Sequence, residues 1–599
     1  MDDDIFDESF DNTFIQLNNL GNLNEHYVSS HKFNLFQQFY VIGLEPKIIY
    51  NINKAELKNL PKILLEPKII SKYPNIDLPY LCIPDYIIIS HCFPNGTVDI
   101  ITKDEKGEKI KDGNFIFSLD NQGYEEKENS LVTKKVYYTC YSFYENIEDY
   151  RLFVNLRNSS YENNGIFNKN YYIKKVICIS SFKPIYKKAK YILRYLRKYI
   201  ESNSLKLDNG NIKIMKTNLI PIEKIIEGLI FNIPSIPRAK YSLIMNNDTF
   251  DFDNNNIKDK KKKEIIFRES PINKLPKPIF DYSDLLIFFN FEEIFEIIKW
   301  IILEMPILFF CENIKDLTYT IEGITSLIFP FEYPYPIVSI LPEENYSMIT
   351  ILKHYIFGIN HKFNKEACSQ KGININKLDN IIIVKIEKRD NENQNLIERE
   401  KSNSQSILIF ASDKKKSILE LKQLNSHYND INVEQKDEFK NLKVQLPSIY
   451  KEKLKKKFYE NIESKITNRK KKTNMDESNR IITEELNEAI FNYLVSIMLN
   501  YQQFCYKSLK KEIKNEKTQE LNLKKNNEED YMINKNKIDI NEIFDVNNFL
   551  NIIPQNDKLF YSLFVKTQLF LNYIKKKQFP KSLKDKLEIY SFIFILFLN

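Results

Sequence analysis

Apolar positions in the first part of the chain fall in short runs separated by turn chemistry. Residues 36–42, 87–93, 98–102, 115–119 and 136–143 are such runs, with Pro94-Asn95-Gly96 and Asp112-Gly113 standing between them. This spacing predicts an antiparallel meander. The last run, Val136-Tyr137-Tyr138-Thr139-Cys140-Tyr141-Ser142-Phe143, is built from the β-branched and aromatic types that fit a pleated surface. From about residue 171 the pattern changes. Val176-Ile177-Cys178-Ile179-Ser180 predicts a short buried strand, followed after Pro184 by a helix to about Ile200. Phe291, Ile294, Phe295, Ile298, Ile301 and Ile302 recur at helical spacing behind Asn290 and Glu293, which have the spacing of a capping box. Ile307-Leu308-Phe309-Phe310-Cys311 predicts a fully buried strand, residues 315–329 a second helix ending at Pro330, and residues 336–341 and 381–386 further strands. Strand, helix, strand in that order predicts βαβ units with parallel pairing and a right-handed crossover. Beyond residue 440 the pattern is helical, with strong apolar faces over 484–505 and 558–575.

Polar stretches divide these segments. Residues 1–30 form an acidic, Asn-rich arm expected to be disordered, and residues 246–263, with Asp-Asn repeats and a five-Lys cluster, an expected disordered insert. Residues 391–440 are expected as a linker, 460–480 and 506–540 as charged inserts, and 581–599 as a C-terminal tail. The apolar stretch 285–310 is interrupted by Glu292, Glu293, Glu296, Lys299 and Glu304, so it predicts a buried helix and strand rather than a membrane span. The run 589–598 is too short to span a bilayer and is expected to be a core strand or the stub of a truncated chain. The start Met1-Asp2-Asp3-Asp4 lacks the basic opening of a secretory signal, so a cytoplasmic protein is expected.

Composition removes several functional classes. The 599 residues suggest about four structural units. Lys plus Arg number 87 against 80 for Asp plus Glu, a net charge of +7 that gives little ground for a nucleic-acid partner. Hydrophobic residues make up 43%, enough for a large core. Only 12 glycines occur, and no two lie two, four or five positions apart, so GxGxxG, GxSxG and GxxxxGK[ST] are all excluded. The chain is therefore neither a P-loop nucleotide hydrolase nor an ordinary protein kinase. The seven cysteines form no CxxC and the six histidines no HExxH, so neither metal nor cofactor is expected, and most cysteines are expected as buried apolar fillers. Lys470-Lys471-Lys472 and Lys575-Lys576-Lys577 are expected to be solvated faces, with transient contact to an anionic membrane surface as the alternative.

The order of segments resembles the tripartite DENN domain, with upstream, central and downstream modules. Phe39-Tyr40-Val41-Ile42-Gly43-Leu44 resembles the family's opening strand. Tyr73-Pro74 followed by His91-Cys92-Phe93-Pro94-Asn95-Gly96 is similar to its "YP … FCFPDG" signature, with Asn95 in place of Asp, and residues 137–145, YYTCYSFYE, are similar to the strand ending in "FYE". Val176-Ile177-Cys178-Ile179-Ser180 fits the start of the central module, and Ile236-Pro237-Arg238 resembles its Pro-rich segment. Leu303-Glu304-Met305-Pro306-Ile307-Leu308-Phe309-Phe310 is similar to "LLERRILFVS", and Ile328-Phe329-Pro330-Phe331-Glu332-Tyr333 with Ile340-Leu341-Pro342 to "LLYPFEW … PILP". His354-Tyr355-Ile356-Phe357-Gly358 departs from "PFLIG" and keeps only its end. Phe549-Leu550 and the run from Phe560 to Thr567-Gln568-Leu569-Phe570 resemble the downstream module.

The resemblance implies an α/β fold of two lobes. A longin-like antiparallel-sheet N-lobe occupies residues 31–150. The larger α/β C-lobe comprises a central module, 171–390, with βαβ units, followed by a helical downstream module, 441–580. It also implies guanine-nucleotide exchange on a Rab-type small GTPase in membrane trafficking, at cytoplasmic faces to which the protein is recruited peripherally. Exchange breaks no covalent bond, so no catalytic residue is expected. Candidate GTPase contacts are positions where a strand of the central module is expected to end in a polar or aromatic loop, namely Phe331, Glu332 and Tyr333 after the crossover helix and Glu343, Glu344 and Asn345 after the next strand, together with Arg238. Phe331 and Tyr333 are equally readable as core aromatics. Two other functions stay open: a non-catalytic scaffold or effector on the same fold, and a GTPase-activating protein with an arginine finger from Arg151, Arg157, Arg238 or Arg268.

Overall fold

The structure is a computed structural model. It describes residues 34–45, 48, 65–76, 78, 80–102, 112–125, 130–146, 171–203, 206–208, 211–213, 222–233, 241–245, 263–267, 280–373, 381–387, 407–410, 460, 475–498, 501–505 and 543–578. The expected arm 1–30, the insert 246–263 except Lys263, which begins a strand, the insert 506–540 and the tail 581–599 lie outside the described residues, as do Arg151, Arg157, Arg238 and Arg268.

Six strands make an antiparallel sheet: β1 (Phe39–Gly43), β2 (Lys68–Tyr73), β3 (Ile100–Thr102), β4 (Gly113–Glu125), β5 (Ser130–Asn146) and β6 (Tyr171–Ser181). Their order is β2-β1-β6-β5-β4, with β3 pairing the end of β6. Both faces are covered. Val176 and Cys178 of β6, with Phe115 and Phe117 of β4, pack towards helix α1 (Asp85–Cys92). Ile177 and Ile179, on the opposite face of β6, pack against helices α2 (Tyr186–Asn203) and α3 (Ile222–Phe231). Burial on both faces is why these strands read as continuous apolar runs rather than alternating ones. Two small hairpins follow, β7 (Lys206–Asp208) with β8 (Asn211–Lys213), and β9 (Tyr241–Met245) with β10 (Lys263–Phe267).

A separate five-stranded sheet holds β11 (Ile307–Phe310), β12 (Ile337–Val338), β13 (Ile356–Ile359), β14 (Ile381–Lys385) and β15 (Ile407–Phe410) in the order β12-β13-β11-β14-β15. The first four run parallel and β15 is antiparallel to β14. Ile307 and Phe309 point into one core and Leu308 and Phe310 into another, so this sheet is also buried on both sides. The larger core is filled by α4 (Leu285–Phe288), α5 (Phe291–Ile302) and α6 (Ile314–Ser326), and by the C-terminal helices α9 (Met475–Ile497), α10 (Val546–Ile552), α11 (Lys558–Phe564) and α12 (Gln568–Gln578). The short helices α7 (Met348–Ile351) and α8 (Lys365–Gln370) cover the other face. Helix α5 starts at the expected box: Asn290 accepts from the Glu293 amide at 2.8 Å, and Glu293 accepts from the Asn290 amide at 2.9 Å. No described helix is long and apolar enough to cross a membrane.

Several sequence expectations change. Residues 87–93, expected as a strand, belong to helix α1, because Pro84 and Asp85 start a helix and Ile88, His91 and Cys92 then share one buried face. The strand at 176–180 extends over β6 and lies between β1 and β5, so it completes the first sheet instead of opening the second. Of 336–341 only Ile337–Val338 pairs, and β13, from the departing "PFLIG" segment, separates it from β11. The expected linker 391–440 contains β15, the expected insert 460–480 contains the start of α9, and the helix expected over 558–575 breaks between α11 and α12. Five of the seven cysteines are buried, while Cys82 is exposed and Cys505 intermediate.

Candidate functional site

The two sheets meet through helix α6, which lies across β4. Along β4, Asn114, Ile116 and Ser118 alternate out of the strand at a period of two. Helix α6 offers Thr318, Tyr319 and Glu322 one turn apart. The Ile116 amide donates to Thr318 Oγ1 at 3.3 Å, and Asn114 Nδ2 donates to Tyr319 Oη at 3.1 Å. Glu322 is buried, and its described partners are hydroxyls. Ser118 Oγ and Ser339 Oγ donate to Oε1 at 2.9 and 2.6 Å, and Tyr186 Oη reaches Oε2 at 3.5 Å. Burial, then the nearby Glu322 carboxylate, push the Tyr186 phenol well above its ordinary value. One carboxylate thus ties the first sheet, the second sheet's β12 loop and helix α2. A buried charge without such donors would be strongly destabilising.

Apolar packing crosses the same seam. Ile116 of β4 belongs to the larger core of the second sheet, and Ile340 after β12 belongs to the core of the first. Gly358 of β13 makes this possible. A Cβ there would lie 2.1 Å from the Ser339 carbonyl oxygen and 2.7 Å from Ile321 Cδ1. The bare backbone lets the 339–341 segment sit against β13, where the Leu341 amide donates to the Gly358 oxygen at 2.7 Å.

At the other edge of the parallel sheet, Glu304 ends helix α5 in the left-handed region, φ 59°. Its amide donates to the Ile301 oxygen and the Met305 amide to the Trp300 oxygen, both at 3.0 Å, which is the Schellman pattern that usually takes glycine. The side chain compensates for the strained backbone. Oε1 accepts from the Leu569 amide at 2.6 Å at the start of α12, and Oε2 accepts from Tyr335 Oη at 3.2 Å. His354 Nδ1 donates to the Glu304 backbone oxygen at 2.6 Å, and its ring stacks on Tyr335. Burial raises the Glu304 carboxyl above its ordinary value; the amides of Leu569 and Gln568, His354 and Tyr335 act against that rise. A carboxylate here also meets the positive end of helix α12.

The sequence candidates fall into two groups. Helix α6 carries the chain from the carboxyl edge of the parallel sheet back to its amino edge, so residues 331–333 precede β12 while 343–345 follow it. Phe331 is 4% exposed and packs edge-on against Phe564 and Tyr573. Tyr333 is partly buried with its ring against Tyr335. Glu332 is exposed and pairs with Lys576 at 2.9 Å. At the carboxyl edge, Glu343–Asn345 is a short 3-10 turn whose first amide donates to the Pro94 oxygen at 3.0 Å. Glu343 also pairs with Lys371, and Glu344 is exposed. The Pro94-Asn95-Gly96 turn of the first sheet and the 343–345 turn of the second therefore form one continuous surface. Sequence reasoning missed Glu322 and Ser339, whose partners are far apart in the chain. Glu304 had a signal, the "LLE" of the family motif, but not a role.

The family model of the DENN (AEX-3) domain matches residues 172–389, from β6 to just beyond β14. The chain is similar to human DENN domain-containing protein 2D, with 27% identity over 87 residues, 14% of this chain and 18% of that protein. The chain thus matches well under a fifth of that relative's length.

Proposed function

We propose that the chain is a guanine-nucleotide exchange factor for a Rab-type small GTPase. The observation that supports this most is the DENN domain at residues 172–389, a family generally known for Rab exchange. The proposed GTPase surface is the carboxyl edge of the parallel sheet, with Glu343, Glu344 and Asn345 beside Pro94-Asn95-Gly96, where open α/β sheets collect their ligands. Glu332 lies at the other edge. Phe331 and Tyr333 hold their loop from inside. Exchange needs a surface that binds the nucleotide-free GTPase more tightly than the nucleotide-bound one, and each 1.4 kcal/mol of that difference is about tenfold. The bond from the Glu343 amide to the Pro94 oxygen favours this by tying the two turns together before the partner arrives, so little ordering entropy is lost on binding.

The test is release of a fluorescent GDP analogue from a panel of Rab proteins, using the full chain. The expected result is faster release from one or two of them, slowed at least tenfold by Glu344→Lys and little by Glu332→Lys. If no Rab responds while the chain captures a GTP-bound Rab, the protein is a scaffold or effector. If GTP hydrolysis rises instead, it is an activating protein.

A further inference from the structure

Helix α2 carries an exposed face rich in cations. Its eighteen residues contain Lys187, Lys188, Lys190, Arg194, Arg197 and Lys198 against a single acid, Glu201. Tyr186, Ala189, Ile192, Leu193, Leu196 and Tyr199 are buried. On the outward side, Lys187, Tyr191, Arg194 and Lys198 are exposed, and their spacing of four, three and four residues makes one straight stripe. At 1.5 Å per residue it is about 16 Å long. Lys315 of helix α6 adds a further cation at one end, close enough that it and Arg194, after burial, push the Lys190 ammonium down to about 8. The facing acids sit at that same end. Asp281 pairs with Lys187 at 2.9 Å, and Asp284 lies near Lys190 and Lys315. Further along, Tyr141, whose hydroxyl donates to Asp112, lies near Arg194 and Arg197.

We propose that this face of helix α2 docks on an anionic phospholipid bilayer. Lys187, Arg194 and Lys198 meet the headgroups and Tyr191 sits at the headgroup boundary. Arg194 and Lys315 act together on the Lys190 ammonium, and a dense anionic plane over the stripe relieves that local excess of positive charge. A bilayer fits better than an acidic peptide or a nucleic acid. The stripe is an outward helix face rather than a groove, and an exposed tyrosine among cations suits the membrane–water interface. The proposal does not depend on exchange activity; it names the surface on which a membrane-associated partner would be met.

The test is co-sedimentation of the full chain with phosphatidylcholine vesicles, with and without phosphatidylserine. The Arg194→Glu/Lys198→Glu variant is compared with Lys353→Glu/Lys362→Glu, two exposed lysines of the other sheet region changed by the same charge. Wild type and control are expected to bind the phosphatidylserine vesicles, and binding is expected to weaken with salt. The stripe variant is expected to bind roughly thirtyfold more weakly, from about 1 kcal/mol for each removed cation. Equal binding by the stripe variant, an equal loss in the control, or no preference for phosphatidylserine would overturn the proposal. So would a stripe variant that keeps vesicle binding and loses GDP release from a soluble Rab, because the face would then be a GTPase surface.

Discussion

Gly358→Ala is the sharpest single test of how the two sheets are joined. The added methyl would lie 2.1 Å from the Ser339 oxygen and 2.9 Å from the Ser339 carbon, both backbone atoms, with Ile321 Cδ1 at 2.7 Å. The isoleucine methyl can rotate away, but the backbone must move by about 1 Å to reach an ordinary contact. That movement strains the 2.7 Å bond from the Leu341 amide and the 2.6 Å bond from Ser339 to Glu322. Overpacking costs about 1–3 kcal/mol. A weakened hydrogen bond to a buried carboxylate adds about 1.5–3 kcal/mol. The expected loss is therefore about 2.5–6 kcal/mol. The chain has a single tryptophan, Trp300, which is 1% exposed in the same large core as Ile321, so its fluorescence in a urea titration reports this core among 36 tyrosines. Gly228→Ala is the internal control. It lies in helix α3, where the nearest atom to an added Cβ is Asn232 Nδ2 at 3.9 Å, and alanine is the better helix former by about 1 kcal/mol. Gly228→Ala should leave the midpoint unchanged or raise it. If Gly358→Ala unfolds at the same urea concentration as wild type, the close approach of the two segments is not what the structure shows and the seam argument fails.

Two further outcomes concern pH. The folded-state pKa of Glu304 is raised above its ordinary 4.5, so its contribution is fully present below that value and is lost as pH rises through the raised one. Glu304→Gln should remove that part of the pH dependence of the Trp300 unfolding midpoint; an unchanged dependence would show that the carboxyl does not titrate against folding. His91 acts in the opposite direction. Its buried ring stacks on Phe117 with Nδ1 bonded to the Ile87 oxygen, and burial lowers its pKa from 6.5 to about 4. The unfolded chain takes up the proton first, so stability should fall as pH drops through that window, by about 3 kcal/mol at most. His91→Phe should flatten the loss in a circular-dichroism urea titration, and a slope identical to wild type would refute the assignment.

Chain-local physics was legible in the sequence. The capping box at Asn290 and Glu293, the both-faces burial of β11 and β14, and the absence of glycine loops follow from near-neighbour spacing; the resemblance to the DENN family was carried by the order of motifs along the chain, and the family match supports it over residues 172–389. Residues 87–93 misled because three consecutive isoleucines carry strand propensity, while their helical form was decided by which side chains the core accepts. Strand order was equally hidden: β13 slips between β11 and β12, and β6 joins the first sheet, because pairing is settled by long-range packing that no local period encodes. The candidate site divided along the same line. The sequence placed acidic and aromatic residues at the ends of segments, but only the tertiary structure put 331–333 and 343–345 at opposite edges of one sheet. It also brought Glu304 to Leu569, 265 positions away, and Ser118 to Glu322, 204 away. A buried carboxylate must be met by donors wherever the fold supplies them, and that requirement leaves no mark on the residues that flank it in the chain.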